Sequence, residues 1–203
     1  MERLAKSNIN TSEEYSRIYF QRKEKGVDEF DLKRWNLLLR YYKHGRFVDL
    51  GCLDSLAPIL AKERSPNSEV WALDHAKEAL DDMKELYPQV LWQIGDVYKT
   101  RFPGLYFQYA IAGELIEHLE KPEKFLEEAF RILKKGGILA LSTPLEEKLG
   151  EVDADRHLWS YSIDDVRKLL EQFGSVKIQL FPKIHVPFSQ YHHKNIIAYT
   201  TKK

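Results

Sequence analysis

The stretch FVDLGCLDSLAP, Phe47 to Pro58, has the form of a buried strand that runs into a tight loop. Apolar Phe47 and Val48 lead into Asp49 and Gly51, the pattern by which a parallel strand meets a ligand-binding turn. Leu53 and Ser55 stand where such a loop usually offers further glycines. Neither a Walker lysine nor the full dinucleotide fingerprint is present, so the loop is not read as a phosphate cradle.

Outward from this stretch, strand-like and helix-like segments alternate. The apolar runs FVDL, VWALD, VLWQIG, YFQYAIAG and ILALST are separated by charged amphipathic stretches over Pro58–Arg64, Ala76–Tyr87 and Pro122–Leu133. That rhythm predicts an α/β fold of the Rossmann-like, doubly wound kind, a mostly parallel sheet with helices on both faces. Pro122 suits a first helical turn, and Lys134–Lys135 before Gly136–Gly137 reads as the end of that helix. Ser162 reads as the N-cap of a helix Ile163–Phe173, ended by Gly174. SVKIQLF and NIIAYTT predict two antiparallel strands at one edge of the sheet. Upstream, a helix from about Asp31 to Tyr42, with Leu32, Trp35, Leu38 and Leu39 on one face, makes residues 1–45 an N-terminal helical cap on a domain spanning 46–203.

A chain of 203 residues suits one domain with a real core. Its 31 basic and 31 acidic residues cancel, so no overall field draws it to nucleic acid or to a membrane surface. Cys52 is the sole cysteine, which excludes an internal disulfide and a multi-cysteine zinc site and fits a reducing compartment. The segment MERLAKSNINTSEEYSR lacks a signal-peptide core, and no window approaches a membrane span. A cytoplasmic location is expected, and oligomeric state is open.

In an open parallel sheet, ligands bind at the carboxyl ends of the strands. The first strand ends in Asp49-Leu50-Gly51-Cys52, and the second in Asp74-His75, an acid placed to take two ribose hydroxyls. The third ends in Gly95-Asp96-Val97, where a carboxylate can accept from an adenine amino group, and the fourth in Ala112-Gly113-Glu114. With these strand ends in order, and with FQYAIAGELIEHLEKPEKFLEEAFRILKKGGILALSTP (Phe107 to Pro144), the sequence from about Arg46 onward resembles the class I S-adenosylmethionine-dependent methyltransferases, type 11/12-like and similar to the ubiquinone-type O-methyltransferases. The resemblance implies S-adenosyl-L-methionine as cofactor. It implies Asp49, Gly51, Cys52, Leu53, Ser55, Asp74, His75, Asp96, Val97, Ala112 and Gly113 as its binding set. Leu53 must then point away from the pocket or narrow it, while the Ser55 hydroxyl can cap the following helix or bond a carboxylate.

Methyl transfer from a sulfonium needs alignment and water exclusion more than many catalytic groups. Glu114, Glu117 and His118 follow the fourth strand, and a helical turn there would set all three on one side. His118 is the expected general base, since an unperturbed imidazole titrates near neutrality. His157 matches a histidine that commonly follows the fifth strand in the family, with Trp159 and Tyr161 placed to wall an acceptor pocket. The competing account has His118 packing structurally and Glu117 solvated on a helix. Glu114, Glu117, His118 and His157 also resemble the metal-binding set of small-RNA 2′-O-methyltransferases; metal-free relatives share the motif, so no metal is assigned. The expected reaction is methyl transfer to O or N of a small-molecule acceptor. Its alternatives are a metal-assisted RNA 2′-O-methyltransferase and a catalytically silent partner protein. His185, His192 and His193, with Phe188 and Tyr191, lie between the last two strands and are open to a substrate-facing or an edge-loop reading.

Overall fold

The computed structural model describes residues 1–5, 8–23, 26–146, 156–181 and 194–203. The main strands are β2 (Phe47–Leu50), β3 (Val70–Asp74), β4 (Leu91–Ile94), β5 (Phe107–Gly113), β6 (Leu133–Pro144), β8 (Gly174–Phe181) and β9 (Asn195–Lys202). They form one seven-stranded sheet in the order β4-β3-β2-β5-β6-β9-β8. From β4 to β6 the neighbours are parallel, and β9 is antiparallel to both β6 and β8. The chain leaves β2 in one direction through β3 and β4 and returns on the other side through β5. Strand order therefore reverses between β2 and β5, and a crevice opens above their carboxyl ends.

Both faces of the sheet are covered. Helices α2 (Glu29–Leu38) and α3 (Ala57–Arg64) bury Trp35, Leu38 and Ala61 with Phe47, Tyr109 and Ile111. Helices α5 (Pro122–Ile132) and α6 (Ile163–Glu171) bury Phe125, Ala129 and Val166 against Val48, Leu50, Ala110 and Ala112 on the other side. Successive residues of one strand thus enter opposite cores, which is why the strands read as unbroken apolar runs. Ser162 starts α6 as expected: its hydroxyl accepts from the Asp165 amide at 3.1 Å while Asp165 accepts from the Ser162 amide at 3.0 Å.

Two expectations are corrected. Lys134 and Lys135 do not end α5; they belong to β6, whose pairing with β5 shifts register between Phe107↔Leu133 and Tyr109↔Ile138. Gly136, at φ +74°, supplies the bulge. The terminal carbonyls of Phe130 and Leu133 accept instead from Lys202 Nζ, at 2.5 and 2.7 Å. Helix α2 stops at Leu38, short of Tyr42, and Leu32 is 42% exposed. Asp31 and Arg34 take the inward positions, made tolerable by their ion pair at 2.5 Å.

The N-terminal residues roof the crevice. Strand β1 (Glu2–Arg3) pairs antiparallel with β7 (Trp159–Ser160), and Arg3 grips Glu120 through two bonds of 2.9 and 3.2 Å. Helix α1 (Ser12–Lys23) crosses α4 (Lys77–Leu86) on polar contacts. Ser12 donates to the His75 carbonyl at 2.7 Å, Tyr19 and Lys23 both bond Asp82, and Ser16 bonds Glu78. No described helix is long and apolar enough to cross a membrane. His185, Phe188, Tyr191, His192 and His193, and residues 147–155 of the loop before His157, lie outside the described residues.

Candidate functional site

A cavity of about 440 Å³ opens at the carboxyl ends of β2 to β5. Its lining brings together Asp49, Gly51, Cys52, Leu53, Ser55, Asp74, His75, Asp96, Val97 and Gly113, along with Glu114, His118 and His157. Ala112 is not among them. Strand alternation sends its side chain into the opposite core beside Ala110 and gives Ile111 and Gly113 to the cavity.

The loop after β2 is held by backbone geometry and one carboxylate. Gly51 sits at φ +74°, and a Cβ there would come within 2.6 Å of Leu115 Cδ1, so any other residue would be strained and would push Leu115 aside. Leu53 also has a positive φ, 43°, unusual for a branched residue. Its amide donates to Asp74 Oδ2 at 2.9 Å, and its side chain packs against the cluster of Tyr19, Ala76 and Ala79. The residue forms a wall of the cavity without plugging it. Ser55 Oγ accepts from the Ala57 amide at 3.1 Å, at the start of α3. Asp74 Oδ1 accepts from the Ala76 amide at 2.8 Å, so both carboxylate oxygens are aimed and each keeps a lone pair for a further donor. At the far end, exposed Asp96 accepts from the Tyr98 amide at 2.8 Å.

The other end holds two buried polar atoms with no hydrogen-bond partner, Asp49 Oδ2 and Arg34 Nε. Asp49 is 2% exposed and Arg34 8%. Burial pushes the Asp49 carboxyl up to about 7, opposed by the Ser55 hydroxyl and Arg34 and reinforced by Asp74. Arg34 spends its Nη atoms on Asp31 and, at 3.4 Å, on Glu114. An unsatisfied acid and an unsatisfied guanidinium nitrogen in one cavity suit a ligand end carrying both an ammonium and a carboxylate. Sequence reasoning passed over Arg34. The signal was an arginine three residues after an aspartate, on the helix face that periodicity assigns to the core.

Beyond β5 the chain makes only one 3-10 turn, Ile116–His118, with Glu114 at φ +51°. Glu114, Glu117 and His118 therefore do not share one helical side. The Glu114 carboxylate turns to Ser142 Oγ at 2.6 Å and Asn195 Nδ2 at 2.8 Å. Glu117 is fully buried rather than solvated, accepting from Thr143 Oγ1 at 3.0 Å. His118 Nδ1 donates to the Arg156 carbonyl at 3.0 Å, and its ring meets that of His157 edge to face at 4.7 Å. Ligand atoms of Glu117, His118 and His157 lie within 4.8 Å of one another. Burial, reinforced by His157, pushes the His118 imidazole down to about 3, so it does not titrate near neutrality as expected. Trp159 and Tyr161 do not line the cavity; they donate to the carbonyls of Leu119 and Ile116 and hold the turn from behind. Tyr15, another residue the sequence did not flag, bridges the site, with its ring 5.3 Å from His75 and 5.9 Å from His118.

Residues 48–141 match the methyltransferase domain family. Over 164 aligned residues the chain is 28% identical to the biotin biosynthesis bifunctional protein BioHC of Teredinibacter turnerae, covering 71% of this chain and 28% of that one. The chain spans between 28% and 40% of the lengths of the curated relatives it matches. Among solved structures it resembles a SAM-dependent methyltransferase from Archaeoglobus fulgidus, with a TM-score of 0.71 at 17% identity over 91% of this chain and 99% of that one. It likewise resembles a SAM-dependent methyltransferase, possible histamine N-methyltransferase, from Thermotoga maritima, with a TM-score of 0.69 at 18% identity over 85% and 89% of the two chains. At these identities the structural likeness speaks for the fold, and the matched domain covers the strand ends around the cavity. Residues 48–141 thus match a methyltransferase domain, and the fold around them is the one these S-adenosylmethionine-dependent methyltransferase structures share.

Proposed function

We propose that the cavity holds S-adenosylmethionine and that the protein transfers its methyl group to an oxygen or nitrogen of a small-molecule acceptor. One observation carries the reading: Asp49 and Arg34, whose buried Oδ2 and Nε have no partner, line the same cavity as the aimed carboxylate of Asp74 and the acid of Asp96. The cofactor supplies a methyl group already activated on its sulfonium. Asp49 and Arg34 hold its amino-acid end, Gly51 lets the backbone approach, and Cys52, Leu53 and Ser55 complete that wall. Asp74, with His75 beside it, takes the ribose hydroxyls, and Asp96 with Val97 takes the adenine.

His118 and His157 face the acceptor. With its proton on Nδ1 and its imidazole neutral, His118 offers an Nε2 lone pair to an incoming O–H or N–H and orients it for in-line attack. Of the N-terminal residues, β1, α1 and the segment between them act as the cap that closes the acceptor side and excludes water, while α2 belongs to the layer packed on the sheet. The wall position of Leu53 weighs against a silent partner protein. Acids in the lining, Asp49, Asp54, Asp74, Asp96, Glu114 and Glu120, outnumber Arg22, Arg34 and Arg156, which weighs against a track for RNA phosphates.

A metal-assisted reaction is a second reading, favoured by the convergence of Glu117, His118 and His157. Glu114 is taken up by Ser142 and Asn195, so the four-residue set shrinks to three. Retention of full activity by a Glu117→Ala, His118→Ala double variant after chelation would end it. The main reading is tested by calorimetric titration with S-adenosylhomocysteine. Saturable heat with a dissociation constant on the order of micromolar is expected. No heat at protein concentrations far above that value would point to the silent protein.

A further inference from the structure

We propose that Asn10, in the segment before α1, is the positioning residue of the His118–His157 pair. The proposal rests on the reading that this pair faces the methyl acceptor. Asn10 Nδ2 donates twice, to the carbonyl of His118 at 3.1 Å and to the carbonyl of Arg156 at 2.9 Å. Its Oδ1 accepts from the Tyr15 hydroxyl at 3.3 Å. The two carbonyls belong to separate parts of the fold, the 3-10 turn after β5 and the segment entering β7. One amide thereby fastens together the two backbones that carry the two histidines.

The Arg156 carbonyl also accepts the Nδ1 proton of His118 at 3.0 Å. Both of its lone pairs are then used, one by the imidazole and one by Asn10. Asn10 holds that oxygen where the ring needs it, and the bond fixes the tautomer. Nε2 is left as the lone-pair nitrogen, 4.0 Å from Glu117 Oε1. The Leu158 amide, donating to the Glu117 carbonyl at 2.7 Å, keeps the two backbones adjacent; without Asn10 the Arg156 carbonyl loses the donor that aims it at the imidazole, and with it the acceptor that selects Nδ1–H weakens.

The side-chain type follows from this geometry. The position needs two N–H donors on one atom and an acceptor beside it; aspartate has no donor, and serine has one. The position is also held from both sides. Leu4 donates to the Leu158 carbonyl at 2.9 Å upstream, and Ser12 donates to the His75 carbonyl downstream. The N-terminal segment therefore reaches both the ribose side of the cavity and its histidine side, with Asn10 at the second of these contacts.

The test uses full-length protein carrying ¹⁵N-labelled histidine, read by long-range ¹H–¹⁵N correlation of the imidazole rings without ligand and with S-adenosylhomocysteine. The wild type should show His118 as a single neutral tautomer protonated at Nδ1. Asn10→Ala and Asn10→Asp should each shift that signal toward a mixture of tautomers, with Asn10→Ser in between. Thermal melts of the variants check that each is folded. An unchanged Nδ1–H signature in both Asn10→Ala and Asn10→Asp would overturn the proposal. Failure of the wild type to bind S-adenosylhomocysteine would count against the cofactor reading alone, since the tautomer is read equally well in free protein.

Discussion

The floor of the cavity and its roof are built from different forces. Beneath, Gly51, Asp74 and Gly113 stand at the ends of strands whose side chains are mostly buried on both faces, and hydrophobic burial fixes them. Above, α1 lies on α4 through Ser16, Tyr19 and Lys23, while Ser12 reaches the His75 carbonyl and Arg22 reaches Asp54 and Asp31, with only a small apolar cluster of Tyr19, Ala76 and Ala79 and the neighbouring Tyr15 and Leu53. Exposed polar contacts contribute little individually. The floor is thus the rigid half, and the roof is the half with the lower local stability.

That contrast can be broken first at Asp74. Its carboxylate orders the Leu53 and Ala76 amides and is assigned the ribose, so Asp74→Ala should weaken S-adenosylhomocysteine binding by about 2–3 kcal/mol, measured by calorimetry. Binding within twofold of wild type would remove Asp74 from the ligand.

The second prediction concerns pH. An ammonium beside Asp49 favours its ionised form, so the complex holds fewer protons than the free protein. Affinity should rise with pH up to about 7 and level off above, by at most about tenfold per unit. The free protein should behave oppositely. Because the folded state keeps a proton that the unfolded chain releases near pH 4, stability from this group is lost as pH rises through the window from about 4 to about 7. Asp49→Asn should flatten both profiles, read by titration and by thermal melts.

A smaller effect is expected at Arg34. Arg34→Lys keeps a charge near Asp31 and Glu114 but removes Nε, and should cost about 1.5 kcal/mol in binding with little change in melting temperature. Leu53→Gly should change binding least. It relieves a positive φ and removes packing under α1, so opposing terms of about 1 kcal/mol each nearly cancel in affinity. Its signature should be kinetic, with faster release of S-adenosylhomocysteine in stopped-flow as the roof loosens. A slower release would show that Leu53 obstructs rather than supports.

The sequence was informative where burial sets a period. FVDL, VWALD and FQYAIAG announce β2, β3 and β5, and their ends announce Asp49, Asp74 and Gly113 because a parallel sheet gathers its ligand groups there. Ala112 was misassigned because alternation had to be counted through the strand end, where one residue's shift changes the face. Leu32 and the α2 boundary failed because periodicity treats a leucine as inward, and here the Asp31–Arg34 pair took that place. Arg34 left a local trace in its spacing from Asp31, but Asn10 and Tyr15 were not legible. Both act through contacts with distant parts of the chain, a relation that no local pattern of hydrophobicity encodes.

The most direct measurement is a crystal structure of the protein with S-adenosylhomocysteine. The account predicts one ligand spanning the cavity, its ammonium at Asp49 Oδ2, its carboxylate at Arg34 Nε, its ribose diol on Asp74 and its adenine beside Asp96. A ligand bound elsewhere, or a cavity closed by the Leu53 side chain with Asp49 and Arg34 still unpartnered, would contradict it.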